Sequence, residues 1–333
     1  MGKIRQNNFR SGAADEAAGG GNAANSGAAN NGAAKNGAAK NGAANSGAAN
    51  RSAAELPILR ICRHTKAKVR RPDKILYVLV AVFVALLLVG LFADQLVPNP
   101  PNEAVPLRAL QAPSAAFPFG TDSYGRCVFS RVLVGIRTSL IPAIGLVIVS
   151  AVVGTAIGMI SGYYGRAVDE ILMRLTDLVM AFPSLLLAIF ISGILGGGVK
   201  NAGLSLLCVS WTNYARLVRA FVLSHKEDLY VKAAILSGER GPEILFRHLL
   251  PNFCSVVAVT MSLQVATMMV SLAGLSFLGL GAPLPQAEWG SMISENVPYL
   301  QRAAWTVLCP CAALIICSFL FNIMSDRLRK KLS

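Results

Sequence analysis

From residue 75 onward the chain alternates between long apolar runs and shorter polar stretches. The runs cover residues 75–97, 139–162, 178–199, 202–223, 253–275 and 303–324. Each approaches the roughly 20 residues that a helix needs to cross the hydrocarbon core of a bilayer. The fourth is the most polar, with Arg216 and Arg219 in its last turns, where long basic side chains reach back to the membrane–water interface. The pattern predicts an all-α integral membrane protein with about six transmembrane helices.

Upstream of the first run the pattern disappears. Residues 11–54 are low in complexity, with the unit Asn-Gly-Ala-Ala-Lys repeated from Asn31 to Lys40 and no large apolar residue for a core. Such a composition cannot bury enough surface to order itself, so a disordered cytoplasmic tail is expected over 1–57. No apolar stretch within the first thirty residues resembles a signal peptide. A basic juxtamembrane segment, the first span and a long loop then occupy 58–138, and the other five spans occupy 139–333. Within that long loop, Tyr124 to Arg137 is expected to form a helix lying on the membrane surface.

Composition supports the membrane reading. Of 333 residues, 54% are hydrophobic and only 14% charged, against about a quarter charged in soluble domains. The net charge of +14 would suit nucleic acid, but its placement argues for topology instead. Arg60, Arg63, Lys66, Lys68, Arg70, Arg71 and Lys74 precede the first run, and Arg327, Arg329, Lys330 and Lys331 follow the last. Basic flanks mark the cytoplasmic side. Both termini are therefore expected in the cytosol, with 98–138 and 276–302 outside and 163–177 and 224–252 inside. The seven cysteines have neither disulfide nor zinc spacing. Most fall in or beside apolar runs as small packing residues, and Cys127 alone is expected outside.

The chain carries no recognisable engine. There is no G-x-x-x-x-G-K-[ST] phosphate loop, H-E-x-x-H or G-x-S-x-G motif. The span interiors lack acidic residues and histidine, which proton- and sodium-coupled transporters use as relays. No catalytic residue, metal ligand or cofactor is expected in this chain. An ion-coupled secondary transporter and a non-transporting scaffold remain as alternatives to a carrier powered by a partner.

The most informative segment is the inside loop 224–252. Asp228 to Ser237 reads as a short helix, Gly238 as its terminator, and Pro242 as the first turn of a second helix presenting Ile244, Leu245 and Leu249 before Pro251 starts a new element. The small Ala233 and Ala234 let another surface approach the backbone. Ala234 and Gly238 are expected to form a backbone-close face. Ala233, Ala234, Gly238 and Leu250-Pro251 resemble the EAA loop of ABC importer permeases, and Arg247, His248, Pro251 and Asn252 are similar to that family's F-R-H-I-L-P-N ending. Lys232 stands where that motif's name has Glu, and Ile235 where Arg is frequent.

Further segments narrow the resemblance. Gly120-Thr121-Asp122, Gly125-Arg126 and Ser130-Arg131 are similar to the G-T-D-x-x-G-R-D-x-x-S-R signature of the dipeptide, oligopeptide and nickel permeases, with Cys127 replacing the second Asp. Ala181-Phe182-Pro183, Tyr214 to Arg219, Leu275 to Gly281 and Glu288-Trp289-Gly290 match the same group. The resemblance spans residues 75–333. It implies a cytoplasmic coupling loop made of Tyr230, Ala233, Ala234, Gly238, Arg247, His248, Pro251 and Asn252. It also implies external motifs at Asp122, Gly125, Arg126, Glu288 and Trp289. The implied partners are a second homologous permease, two ATP-binding subunits that hold ATP and Mg, an external solute-binding protein and the lipid membrane. Outside residues have alternative roles: Trp289 and Tyr299 as interfacial anchors, Arg126 and Arg131 as lipid-headgroup contacts, Gly279 and Gly281 as turn formers. Residues 210–214, 273–276 and 287–290 lean the substrate toward nickel or a metal chelate rather than short peptides.

Overall fold

The computed structural model describes residues 74–332. The low-complexity repeat and the basic run from Arg60 to Arg71 lie outside the described residues. The main helices are α1 (Lys74–Leu91), α2 (Val128–Gly135), α3 (Ile141–Tyr164), α4 (Arg166–Met180), α5 (Ser184–Ile194), α6 (Val199–His225), α7 (Leu229–Leu236), α8 (Leu250–Phe277), α9 (Trp289–Asn296) and α10 (Trp305–Leu332). Among the described residues no strand forms beyond an isolated bridge between Thr121 and Cys127.

Among the described residues, four helical segments are long and apolar enough to cross a membrane: Lys74–Leu91, Val128–Tyr164, Gly241–Phe277 and Trp305–Lys331. The third expected span is not a single rod. Ala181-Phe182-Pro183 breaks it into α4 and α5, which meet at 86°. Proline disfavours helical geometry at the residue before it, and the break falls there. At 11 residues α5 is about 16 Å long, half of a bilayer core. Counting the bent pair as one span gives five. The fourth expected span is α6, 27 residues long but more polar than those four.

Two more boundaries differ from the sequence pattern. Val128–Tyr164 is one helical path, so the segment ending at Arg137 enters the span directly and does not lie apart on the membrane surface. The division expected between 138 and 139 falls inside this path. Likewise Pro251 starts no new element, because helix continues from Gly241 to Phe277. A π-turn precedes each of the two prolines responsible: Ile136–Leu140 before Pro142 and Ile244–Leu249 before Pro251. Proline has no N–H and its ring crowds the carbonyl four residues back. A wider turn just upstream redistributes the backbone bonds, as where Leu250 N–H donates to Leu245 O.

The tightest helix pair is α3 with α6. Gly154, Gly158 and Gly162 form one stripe of α3, four residues apart. A Cβ at Gly154 would lie 2.3 Å from Trp211 O, one at Gly158 2.5 Å from Ala215 O, and one at Gly162 2.8 Å from Val222 Cβ. Small residues at this spacing let two backbones meet, the main source of helix association in lipid. A 2.6 Å hydrogen bond between Ser150 and Ser210 extends the seam by another turn. Around it packs a core of Leu140, Val147, Leu206, Met269, Leu272 and Leu275.

Candidate functional site

The two ends of α3 carry different structures. Near Tyr164 sits a helical hairpin, and near Leu140 sits a loop-built cap.

In the hairpin, α7 closes through Gly238, whose φ of +84° is left-handed. Gly238 N–H donates to Ile235 O at 3.0 Å and Glu239 N–H to Ala234 O at 3.2 Å, the paired bonds of a Schellman cap. Arg240 N–H donates to Glu243 Oε2, and Pro242 occupies the first turn of the second arm. Val231, Ala234, Ile244, Leu245, Leu249 and Phe253 bury the inner face against Val218, Val222 and Met159. Two polar contacts join the arms: His248 Nε2 to Glu239 Oε2 at 2.7 Å, and Asn252 Nδ2 to Tyr230 Oη at 3.3 Å.

The outward stripe of α7 is Leu229, Lys232, Ala233 and Leu236. Leu229 is 83% exposed and Leu236 88%, with Ile235, Phe246 and Arg247 exposed beside them. Ala234 is only 6% exposed and packs inward. The expected face of Ala234 with Gly238 is therefore corrected. Residues spaced i, i+3, i+4 and i+7 share a helix face, and from Leu229 that rule selects Ala233. Tyr230, His248 and Asn252 tie the two arms of the hairpin together. Gly238 shapes its turn, and Pro251 continues the helix beyond it.

The cap is built on Asp122. Its Oδ1 accepts the N–H groups of Tyr124 and Arg126, both at 2.9 Å, and its Oδ2 accepts Arg126 Nε at 2.6 Å. Arg126 Nη2 reaches Glu295 Oε2 at 2.5 Å, and Arg131 Nε lies 3.6 Å from Asp122. Arg131 also donates to the carbonyls of Pro101 and Pro285. Two arginines and two carboxylates thus form a cluster of balanced formal charge, with Asp122, Arg126 and Arg131 buried and Glu295 half-buried. Arg126 and Arg131 are buried, so neither contacts lipid headgroups. Gly125 has φ +76°, and a Cβ there would lie 2.0 Å from Val105 O. Cys127 is buried as well.

Glu288, Trp289 and Gly290 pin α9 to the spans. Glu288 caps α9 by accepting Gly290 N–H at 3.0 Å and Ser291 N–H at 2.9 Å. The Trp289 indole donates to Val132 O at 3.1 Å and rests where a Cβ on Gly135 would be 2.4 Å away. With 0% exposure it is a core residue and no interfacial anchor, whereas Tyr299 is exposed. Gly290 sits against Ala273 O, where a Cβ would be 2.3 Å away. Gly279 has the left-handed φ of a turn, but Gly281 serves a close approach to Ser276. Sequence reading missed Glu295, which pairs across 169 residues with no local signal.

Long apolar helices with a hairpin at one end and a buried ionic cap at the other define a multi-pass membrane protein. The chain belongs to the family of binding-protein-dependent transport system inner membrane components, whose family model matches residues 154–333. It is 38% identical over 262 residues to a dipeptide transport system permease protein of Alkalihalophilus pseudofirmus, covering 79% of this chain and 86% of that one. An oligopeptide transport system permease protein of Bacillus subtilis is 36% identical over the same shares. A glutathione transport system permease protein of Pectobacterium atrosepticum is 37% identical over 253 residues, 75% of this chain and 84% of that one. The chain is thus a permease component of an ABC importer in the inner membrane. Nickel appears in none of these names. The residues behind that expectation include Ala287, Glu288 and Trp289, which are buried in the packing and capping of α9.

Proposed function

We propose that this subunit forms part of the membrane passage of an importer for short peptides, with the hairpin as the seat of an ATPase. The observation that carries the seat is the outward stripe Leu229, Lys232, Ala233 and Leu236, held on a hairpin whose inner face is packed into the spans. Large apolar side chains left in water mark a partner surface. Because the inner face joins α6 to α8, a push on α7 moves both helices together. ATP and Mg are bound by the partner subunits, and this chain forms or breaks no bond. On this reading the hairpin end is cytosolic. The cap at the other end meets a solute-binding protein, and a second permease and a second ATPase complete the assembly. The peptide assignment is supported by the names of the relatives.

The test separates α7's two faces. Ala233→Glu and Leu236→Glu should abolish co-purification of the ATPase subunits while leaving membrane insertion and pairing with the second permease intact. Ala234→Glu should instead lower the yield of the whole chain, because it buries a carboxylate among apolar side chains. Retention of ATPases and of ATP-driven trialanine uptake by the first two variants would remove the hairpin from the coupling.

A further inference from the structure

Along α8, Thr260, Gln264, Thr267 and Ser271 recur at i, i+4, i+7 and i+11 on one face of a largely apolar helix, whose other polar residues are Asn252, Ser255, Ser262 and Ser276. They make a polar line about 16 Å long, half the thickness of a bilayer core. Gln264, Thr267 and Ser271 face Asn213 and Ser210 of α6 and Ser184 at the start of α5, across a cleft of about 160 Å³. Ser210 is bonded to Ser150 and Thr260 to its own helix. Asn213, Gln264, Thr267 and Ser271 have no side-chain hydrogen bond among the described residues. Asn213 and Thr267 are exposed, and Gln264 and Ser271 half-buried.

Amide and hydroxyl groups turned toward hydrocarbon cost several kcal/mol when unpaired, so this face requires water or a polar ligand. The lining contains no ionised group. Asn213 and Gln264 each offer both an N–H donor and a C=O acceptor, the complement of a peptide backbone. Thr260 also rims a wider cavity of about 550 Å³ toward the hairpin end, shared with Ser325, Asp326 and Arg329 of α10. The two spaces border successive stretches of α8, the wider one along residues 255–263 and the narrow cleft along residues 264–271.

We propose that this cleft is the passage surface of the subunit, and that Asn213, Gln264, Thr267 and Ser271 guide a short peptide through neutral hydrogen bonds to its backbone. The ligand class rests on the peptide reading above; the passage itself does not.

The experiment uses the assembled importer in vesicles, with exposed Cys208 and Cys254 replaced by serine. Thr267→Cys and Ser271→Cys should react with a charged thiosulfonate at least about tenfold faster than Val270→Cys, which is exposed on a neighbouring face of α8. Trialanine supplied with the binding protein should slow both reactions. Gln264→Leu and Thr267→Val should lower trialanine uptake about tenfold, the effect of one lost hydrogen bond, with ATPase association unchanged. If Thr267→Cys and Ser271→Cys react no faster than Val270→Cys with and without ATP, the passage is elsewhere. The same holds if they cross-link to the second permease in a dry contact. If labelling follows expectation but the unmodified importer moves no trialanine, the passage stands and the peptide assignment falls.

Discussion

Gly158→Leu should leave almost no folded permease in the membrane. A Cβ at this position would lie 2.5 Å from Ala215 O and 2.9 Å from Val218 Cβ. The first of these atoms is backbone, so no rotamer change relieves the clash. Overpacking ordinarily costs about 1–3 kcal/mol when neighbouring side chains can yield. Here two helix axes must separate, and the close approach of α3 to α6 is lost along several turns. We expect a penalty of more than about 3 kcal/mol, read as a collapse in membrane-inserted yield and in thermal stability of the detergent-solubilised subunit. Gly154→Leu should behave alike, since its Cβ would meet Trp211 O at 2.3 Å. Gly145→Ala supplies the control on the same helix. A Cβ there would meet no atom within 4 Å beyond its chain neighbours and its own helix backbone, and alanine gains about 1 kcal/mol of helix propensity over glycine. Near-normal accumulation of Gly158→Leu would show that the α3–α6 seam is not what holds the bundle.

That seam was visible in the sequence as glycines at 154, 158 and 162, yet apolarity alone treats residues 139–162 as one undifferentiated span. Hydropathy reports what a helix is made of, whereas the glycine spacing reports which face it buries. The hairpin was more legible, because Gly238 and Pro242 have few other uses in a helical pattern. The structure follows them to within a residue at the end of α7 and the start of the next arm. Which alanine points outward depended on where α7 meets the inner cluster, a tertiary fact. Pro183 and Pro251 show the limit of a local rule. The first breaks a helix at 86°, and the second sits inside a continuous one. A π-turn accompanies Pro251, and apolar patterning does not encode it.

Asp122→Ala should destabilise the cap more than any other single change there. The four charges now cancel. Removing the carboxylate leaves Arg126 and Arg131 sharing only Glu295, whose Oε2 lies 2.5 Å from one and 4.0 Å from the other. A buried charge stripped of its partner costs about 3–5 kcal/mol, well above the value of an exposed ion pair. Asp122 Oδ1 also holds the turn, so the N–H groups of Tyr124 and Arg126 lose their acceptor in the same step. Asp122→Asn separates the two effects, because its amide oxygen can still accept those donors while the charge is gone; it should fall between wild type and Asp122→Ala. The double change Arg126→Met with Glu295→Gln removes one charge of each sign and leaves Arg131 facing Asp122. It should be milder than Asp122→Ala despite altering two residues, since no charge is left in excess. Thermal unfolding of the purified subunit, with limited proteolysis of the 98–127 loop, measures the order. The hairpin lies at the far end of α3, so ATPase co-purification should persist in any variant that still inserts. If Asp122→Ala matches wild type in both assays while the double variant unfolds, the cluster is held by shape rather than charge.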